Sequence, residues 1–221
     1  MNTMNLIARR AALVSATALF GSNLLTGCLP LVVGGAIVGG ALVATDRRTS
    51  GAQLEDEGIE LRSVNRLRDA FLERAHINAT SYNRQVLLTG EVPTEADKLR
   101  AQEIVSRVEN VRSIVNELAV LGNTSLGSRS SDSLTTGRVK AGFVDAKDLY
   151  ANAFKVVTER GTTYLLGRVT QREASRATDI ARTTPGVQRV VRVLEIISDE
   201  ELQRMLPQPA KPGTAPTNPA N

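Results

Sequence analysis

From residue 55 onward the apolar positions change their period in a fixed order, and they do so twice. Ile59, Val64, Leu67, Phe71 and Leu72 fall near helical spacing. Residues 76–82 and 85–92 are short β-type runs that meet at Asn83-Arg84, which predicts two strands joined by a tight turn. A second helical stretch covers about 94–108, with Ala101, Ile104, Val105 and Val108 on one face, and an apolar strand at 111–118 closes the unit. The same order follows again: a helix over about 132–145, strands over about 151–158 and 162–169, a helix over about 171–182 and a strand at 187–197.

This recurrence is an internal repeat. Val86-Leu87-Leu88-Thr89-Gly90-Glu91-Val92 aligns with Thr163-Tyr164-Leu165-Leu166-Gly167-Arg168-Val169, at an offset of 77 between the glycines and 76 between Ile104 and Ile180. The predicted fold class is α+β: two tandem small α-β-β-α-β modules, each a three-stranded sheet covered on one face by two helices. The modules occupy 55–122 and 132–198, joined by a Gly/Ser-rich flexible linker at 123–131. A Pro-rich tail at 199–221, holding Pro207, Pro209, Pro212, Pro216 and Pro219, is expected to be disordered. Gly90 and Gly167 read as a strand bulge or a close helix approach.

The segment before the modules carries export chemistry. Arg9 and Arg10 precede an apolar run at 11–20, the basic and hydrophobic regions of a secretory signal too short to span a bilayer. It ends in Leu25-Thr26-Gly27-Cys28, which resembles a bacterial lipobox, so 1–27 is read as a lipoprotein signal peptide and Cys28 as the lipidation site. Leu29 after the cysteine points to the outer membrane under the sorting rule that accompanies that resemblance. Residues 28–54 then form a lipidated flexible tether. Its apolar part, 29–44, holds Gly34, Gly35, Gly39 and Gly40, each costing roughly 1 kcal/mol of helix propensity.

Charge and composition narrow the chemistry. The chain carries 27 Lys+Arg against 23 Asp+Glu, but the balance is uneven. Residues 55–122 are net −3 and residues 123–197 net +5, so the second half is the one suited to an anionic partner. With no tryptophan and 3% aromatic residues, base stacking on nucleic acid has little to use, and no nucleic-acid partner is expected. The single histidine, His76, and the single cysteine argue against zinc sites and Cys-His catalysis, and neither a phosphate loop nor a nucleophile elbow occurs. His76 reads as a surface residue at a strand start. No metal, cofactor or enzymatic activity is therefore predicted, and Glu95 and Asp97 read as helix-start charges.

The glycine-bearing strands at 88–92 and 166–169, the helices after them and the Val-x-x-Val closing strands resemble a pair of BON domains, named for bacterial osmotically induced and nodulation proteins. Lipobox, glycine-rich tether, Asp46-Arg47-Arg48 and tandem modules together resemble the dual-BON-domain lipoproteins of the outer membrane. The resemblance covers 28–197. It implies a non-catalytic protein on the periplasmic face of the outer membrane that binds anionic phospholipid such as phosphatidylglycerol and supports envelope integrity, including at division sites. It places lipid contact on the first helix of the second module and the loop before it, here Ser133, Leu134, Thr135, Gly137, Arg138, Lys140 and Ala141. Leu134 stands where, by that resemblance, the enterobacterial relative carries a tryptophan. Ser131, Asp132 and Ser133 are the expected N-caps, whose helix would offer first-turn amides to phosphate beside Arg138 and Lys140. The alternative is a scaffold or chaperone-like factor that binds envelope-assembly proteins by strand addition.

Overall fold

A computed structural model describes residues 46–205, which belong to one compact unit. The first module comprises α1 (Ser50–Phe71), β1 (His76–Tyr82), β2 (Gln85–Val92), α2 (Glu95–Ser106), β3 (Ser113–Asn116) and the short β4 (Ala119–Val120). The second comprises α3 (Leu126–Asp145), β5 (Phe154–Glu159), β6 (Thr162–Val169), α4 (Gln171–Thr183) and β7 (Arg189–Ile196), followed by α5 (Asp199–Met205). The α-β-β-α-β order predicted from periodicity is present in both modules.

Each module is built alike. β1 and β2 form an antiparallel hairpin, and β3 and β4 pair in parallel with β2 after the α2 crossover. In the second module β5 pairs antiparallel and β7 parallel with β6. Asn83 and Arg84 in one hairpin turn, and Arg160 and Gly161 in the other, all have positive φ, the backbone that two-residue turns need to match strand twist. The predicted closing strand at 111–118 is broken. The Asn116 side chain accepts from the Leu118 N–H at 3.3 Å, a local turn that interrupts the ladder between β3 and β4.

Val86-Leu87-Leu88 and Tyr164-Leu165-Leu166 are unbroken apolar runs, so both faces of each central strand must be covered. Val86, Leu88 and Val92 enter a core under α1 and α2 with Ile59, Leu67 and Phe71. Leu165 and Val169 enter the equivalent core with Val139, Phe143 and the alanines of α4. The opposite faces meet each other: Tyr82, Leu87, Tyr164, Leu166 and Val193 form a third buried cluster shared by the two modules. The result is helices, sheet, sheet and helices in four layers.

Several boundaries differ from expectation. α3 starts at Leu126, not about 132, because Ser125 caps it by accepting from the Ser128 N–H at 3.2 Å, so residues 126–131 of the expected linker are helix. The tether ends early, since α1 starts at Ser50 under a Thr49 cap. Residues 199–205 of the expected disordered tail are helical, with Ser198 accepting from the Glu201 N–H. Val64 and Leu72 face solvent instead of the core. At Gly90, φ is +111° and a Cβ would fall 2.0 Å from the His76 carbonyl oxygen; at Gly167 it would fall 2.5 Å from that of Ala153. The close approach is by the neighbouring strand β1 at Gly90 and by the 3-10 helical turn before β5 at Gly167. The signal peptide, Cys28, the tether up to residue 45 and the prolines of the tail lie outside the described residues.

Candidate membrane-facing surface

α3 lies on its own sheet through residues spaced for one helix face. Asp132, Thr135, Val139 and Phe143 are buried, and Phe143 packs on Phe154 with ring centroids 5.1 Å apart. Asp132 acts as a clamp: its carboxylate accepts the Arg160 N–H at 2.8 Å and the Gly161 N–H at 2.9 Å, tying the helix to the hairpin turn. Ser131, Asp132 and Ser133 lie inside α3 and not at its start, so the anion site expected from them as N-caps is not formed there. The first turn begins at Leu126, where the Ser128 amide is already capped by Ser125.

The opposite face carries a different pattern. Leu126, Leu134 and Val144 are 79%, 63% and 71% exposed, and Gly137 and Ala141 are exposed between them. Their spacing follows the helix repeat, so they form one apolar stripe pointing away from the sheet. Arg138 and Lys140 are exposed on its two flanks, and among the described residues neither forms an ion pair. Of the predicted lipid-contact residues, Ser133, Leu134, Gly137, Arg138, Lys140 and Ala141 are therefore brought onto solvent-facing parts of α3. Thr135 is not: it is 2% exposed and its hydroxyl donates to the Ser131 carbonyl at 3.0 Å, so it belongs to the core-facing side. Sequence reasoning missed Leu126 and Val144. Their spacing from Leu134 was readable, but the Gly/Ser composition before residue 132 disguised the helix start.

A second arrangement ties the two modules together. Arg47 makes a bidentate ion pair with Glu173, at 2.6 and 2.8 Å, and also donates to the Arg168 carbonyl at 2.9 Å. Arg48 binds Asp56 at 2.8 Å and Asp46 at 2.7 Å, and stacks over the Tyr82 ring at 4.3 Å. Asp46-Arg47-Arg48, expected as free tether, is thus a strap engaging both modules. Burial pushes the Asp56 carboxyl up, but hydrogen bonds from Ser81, the Arg84 amide, Arg48 and the Asn83 amide outweigh it and hold it below its ordinary value. Glu173 behaves likewise: burial opposes and Arg47, with the Thr170 capping contacts, wins. Burial raises Tyr82 to about 12.

Two repeated three-stranded α+β units, each with a first-helix carboxylate clamped on its hairpin turn, define a tandem small-module protein. The BON domain profile matches residues 55–122 and 131–198, and the chain belongs to the BON-domain family. It is 41% identical over 176 residues to the outer membrane lipoprotein DolP of Haemophilus influenzae, covering 78% of this chain and 90% of that one. It is 34% identical over 154 residues to a 21 kDa hemolysin of Actinobacillus pleuropneumoniae, covering 69% and 79% respectively. A solved structure of CdsD, a structural protein of the type III secretion system of Chlamydia trachomatis, aligns at 12% identity with a TM-score of 0.27, which is too low to inform function.

Proposed function

We propose that this protein is a non-enzymatic outer-membrane lipoprotein, anchored through Cys28 and facing the periplasm, that binds anionic phospholipid through α3 and supports envelope integrity, including at division sites. The observation that carries the reading is the exposed stripe Leu126, Leu134, Gly137, Ala141 and Val144 with Arg138 and Lys140 beside it. Apolar side chains on a soluble helix, opposite its buried face, are stabilised by entering an acyl boundary, and each flanking cation near an anionic surface adds about 1 kcal/mol. The name of the Haemophilus relative and the lipobox at Cys28 support the location. No helix among the described residues is long and apolar enough to cross a membrane, which fits attachment through a lipid.

The test is co-sedimentation of residues 45–221 with vesicles that contain or lack phosphatidylglycerol, beside Leu134→Glu. The reading expects binding that requires the anionic lipid and is lost in the variant. Absence of binding to either vesicle would sink it and favour the scaffold reading, in which the edge strand β7 (Arg189–Ile196) would receive a partner strand.

A further inference from the structure

Away from α3, three potential metal ligands converge at the joint between the modules. His76 starts β1, Glu91 lies near the end of β2 and Glu159 ends β5, so two come from the first module and one from the second. One ligand atom from each lies within 4.8 Å of the others. We infer that His76, Glu91 and Glu159 form a divalent-cation site of the zinc, cobalt or manganese class that links the two modules.

The argument does not rest on proximity of acids alone. Glu91 is fully buried, and its Oε1 has no hydrogen-bond partner. A buried carboxylate oxygen left without a donor is costly, and such an atom in a native fold calls for an explanation. Its nearest cation is Arg160, with Nη1 at 3.8 Å, beyond hydrogen-bonding distance. The other oxygen, Oε2, accepts from the Thr124 N–H at 3.2 Å and faces His76, which fixes the carboxylate in the cluster. Glu159 is 7% exposed and accepts from Asn78 at 3.0 Å, so it too is held in place.

Access and chemistry agree. A cavity of about 310 Å³ lined by His76, Asn78, Asp132 and Glu159 opens beside the cluster, giving an entry path and room for a water as a further ligand. His76 Nδ1 lies 3.1 Å from Glu91 Oε2. The cation would be held by His76 as neutral imidazole, its proton on the non-ligating ring nitrogen, and by two ionised carboxylates. Ligand distances of about 2.0–2.2 Å require the three groups to draw together by roughly an ångström, within the reach of side-chain rotation. Counting histidines and cysteines hides such a site, because two carboxylates supply the remaining ligands. The inference is independent of the lipid-binding reading.

The experiment uses the full-length lipoprotein in detergent micelles, stripped with chelator and titrated with zinc by calorimetry, then with cobalt by visible absorption. The expected result is one saturable site per chain, weaker as pH falls because protons compete, with a rise in thermal midpoint on zinc addition. Glu159→Gln and His76→Asn should each weaken binding by roughly a hundredfold or more, above the range typical of outer-shell substitutions. Their metal-free unfolding and circular dichroism report that the fold is intact, and Glu159→Gln keeps shape and volume. No saturable binding, or binding that both variants retain, overturns the site.

Discussion

α1 and α3 occupy the same place in their modules, yet only their inner faces are alike. Asp56, Ile59, Ser63 and Leu67 are buried in α1, and Asp132, Thr135, Val139 and Phe143 are buried at the matching positions of α3. Each aspartate accepts the two backbone amides of its hairpin turn: Asn83 and Arg84 at 2.7 Å in the first module, Arg160 and Gly161 in the second. The outer faces diverge. Where α3 presents Leu134 and Ala141, α1 has Gly58 and Asn65, with Glu57 and Asp69 exposed nearby. Leu54 and Leu61 are exposed on α1 as well, and Arg62 and Arg68 stand at the positions of Arg138 and Val144, so apolar exposure alone does not separate the helices; what differs is that Arg62 is paired with Glu55 and acidic residues lie beside the α1 face, whereas Arg138 and Lys140 form no ion pair among the described residues. The fold is held by what the repeats share, and the proposed function rests on what they do not.

The largest difference between the modules should appear when the two clamps are cut. Asp56 also accepts from Ser81 at 2.6 Å and pairs with Arg48, so Asp56→Ala leaves a buried hydroxyl and two amides without their acceptor and takes from Arg48 one of its two carboxylates. A loss of about 3–5 kcal/mol is expected in thermal or denaturant unfolding. Asp132→Ala strands only the two turn amides and should cost about 1–3 kcal/mol. Equal losses would mean that the strap arginine contributes nothing.

On the outer faces the order reverses. Leu134→Glu should weaken phosphatidylglycerol-vesicle binding by about 1.5–3 kcal/mol, roughly tenfold or more, whereas Leu61→Glu on α1 should leave it unchanged. A loss from Leu61→Glu as large as that from Leu134→Glu would break the distinction between the helices. Replacing Arg138 and Lys140 together by alanine should cost about 2 kcal/mol of binding at low salt, and the difference from the parent should shrink as ionic strength rises.

The smallest effect tests the strap that spans both modules. The folded values of Asp56 and Glu173 are lowered relative to unfolded values of about 3.9 and 4.3. The unfolded chain therefore binds more protons in this range, and stability rises with pH. Their contribution should be fully present above about pH 5 and lost as pH falls through the folded values. In Arg47→Ala with Arg48→Ala, acid unfolding should begin from a lower stability and fall less steeply; an unchanged pH profile would show that the strap does not set these carboxylates.

How much of this was legible depended on range along the chain. The repeat at 86–92 and 163–169, the hairpin turns and the helix after each hairpin are written in near-neighbour periodicity. Leu134, its flanking cations and Thr135 are all placed by the family resemblance, and Thr135 falls on the core-facing side because it shares a helix face with Asp132 and Val139. Ser125 as a cap was concealed within a serine-rich stretch that looks like linker.

Sequence alone determined the two α-β-β-α-β modules, since helix and strand periods depend on residues a few positions apart and the apolar runs of β2 and β6 demand burial on both faces. Only the tertiary structure decided what covers the second face, namely the other sheet, and which polar groups meet there. Arg47 with Glu173, and His76 with Glu159, are separated by 126 and 83 positions. No local pattern encodes such pairings, because they arise only when two independently patterned sheets stack and bring distant strand ends and the strap into one place.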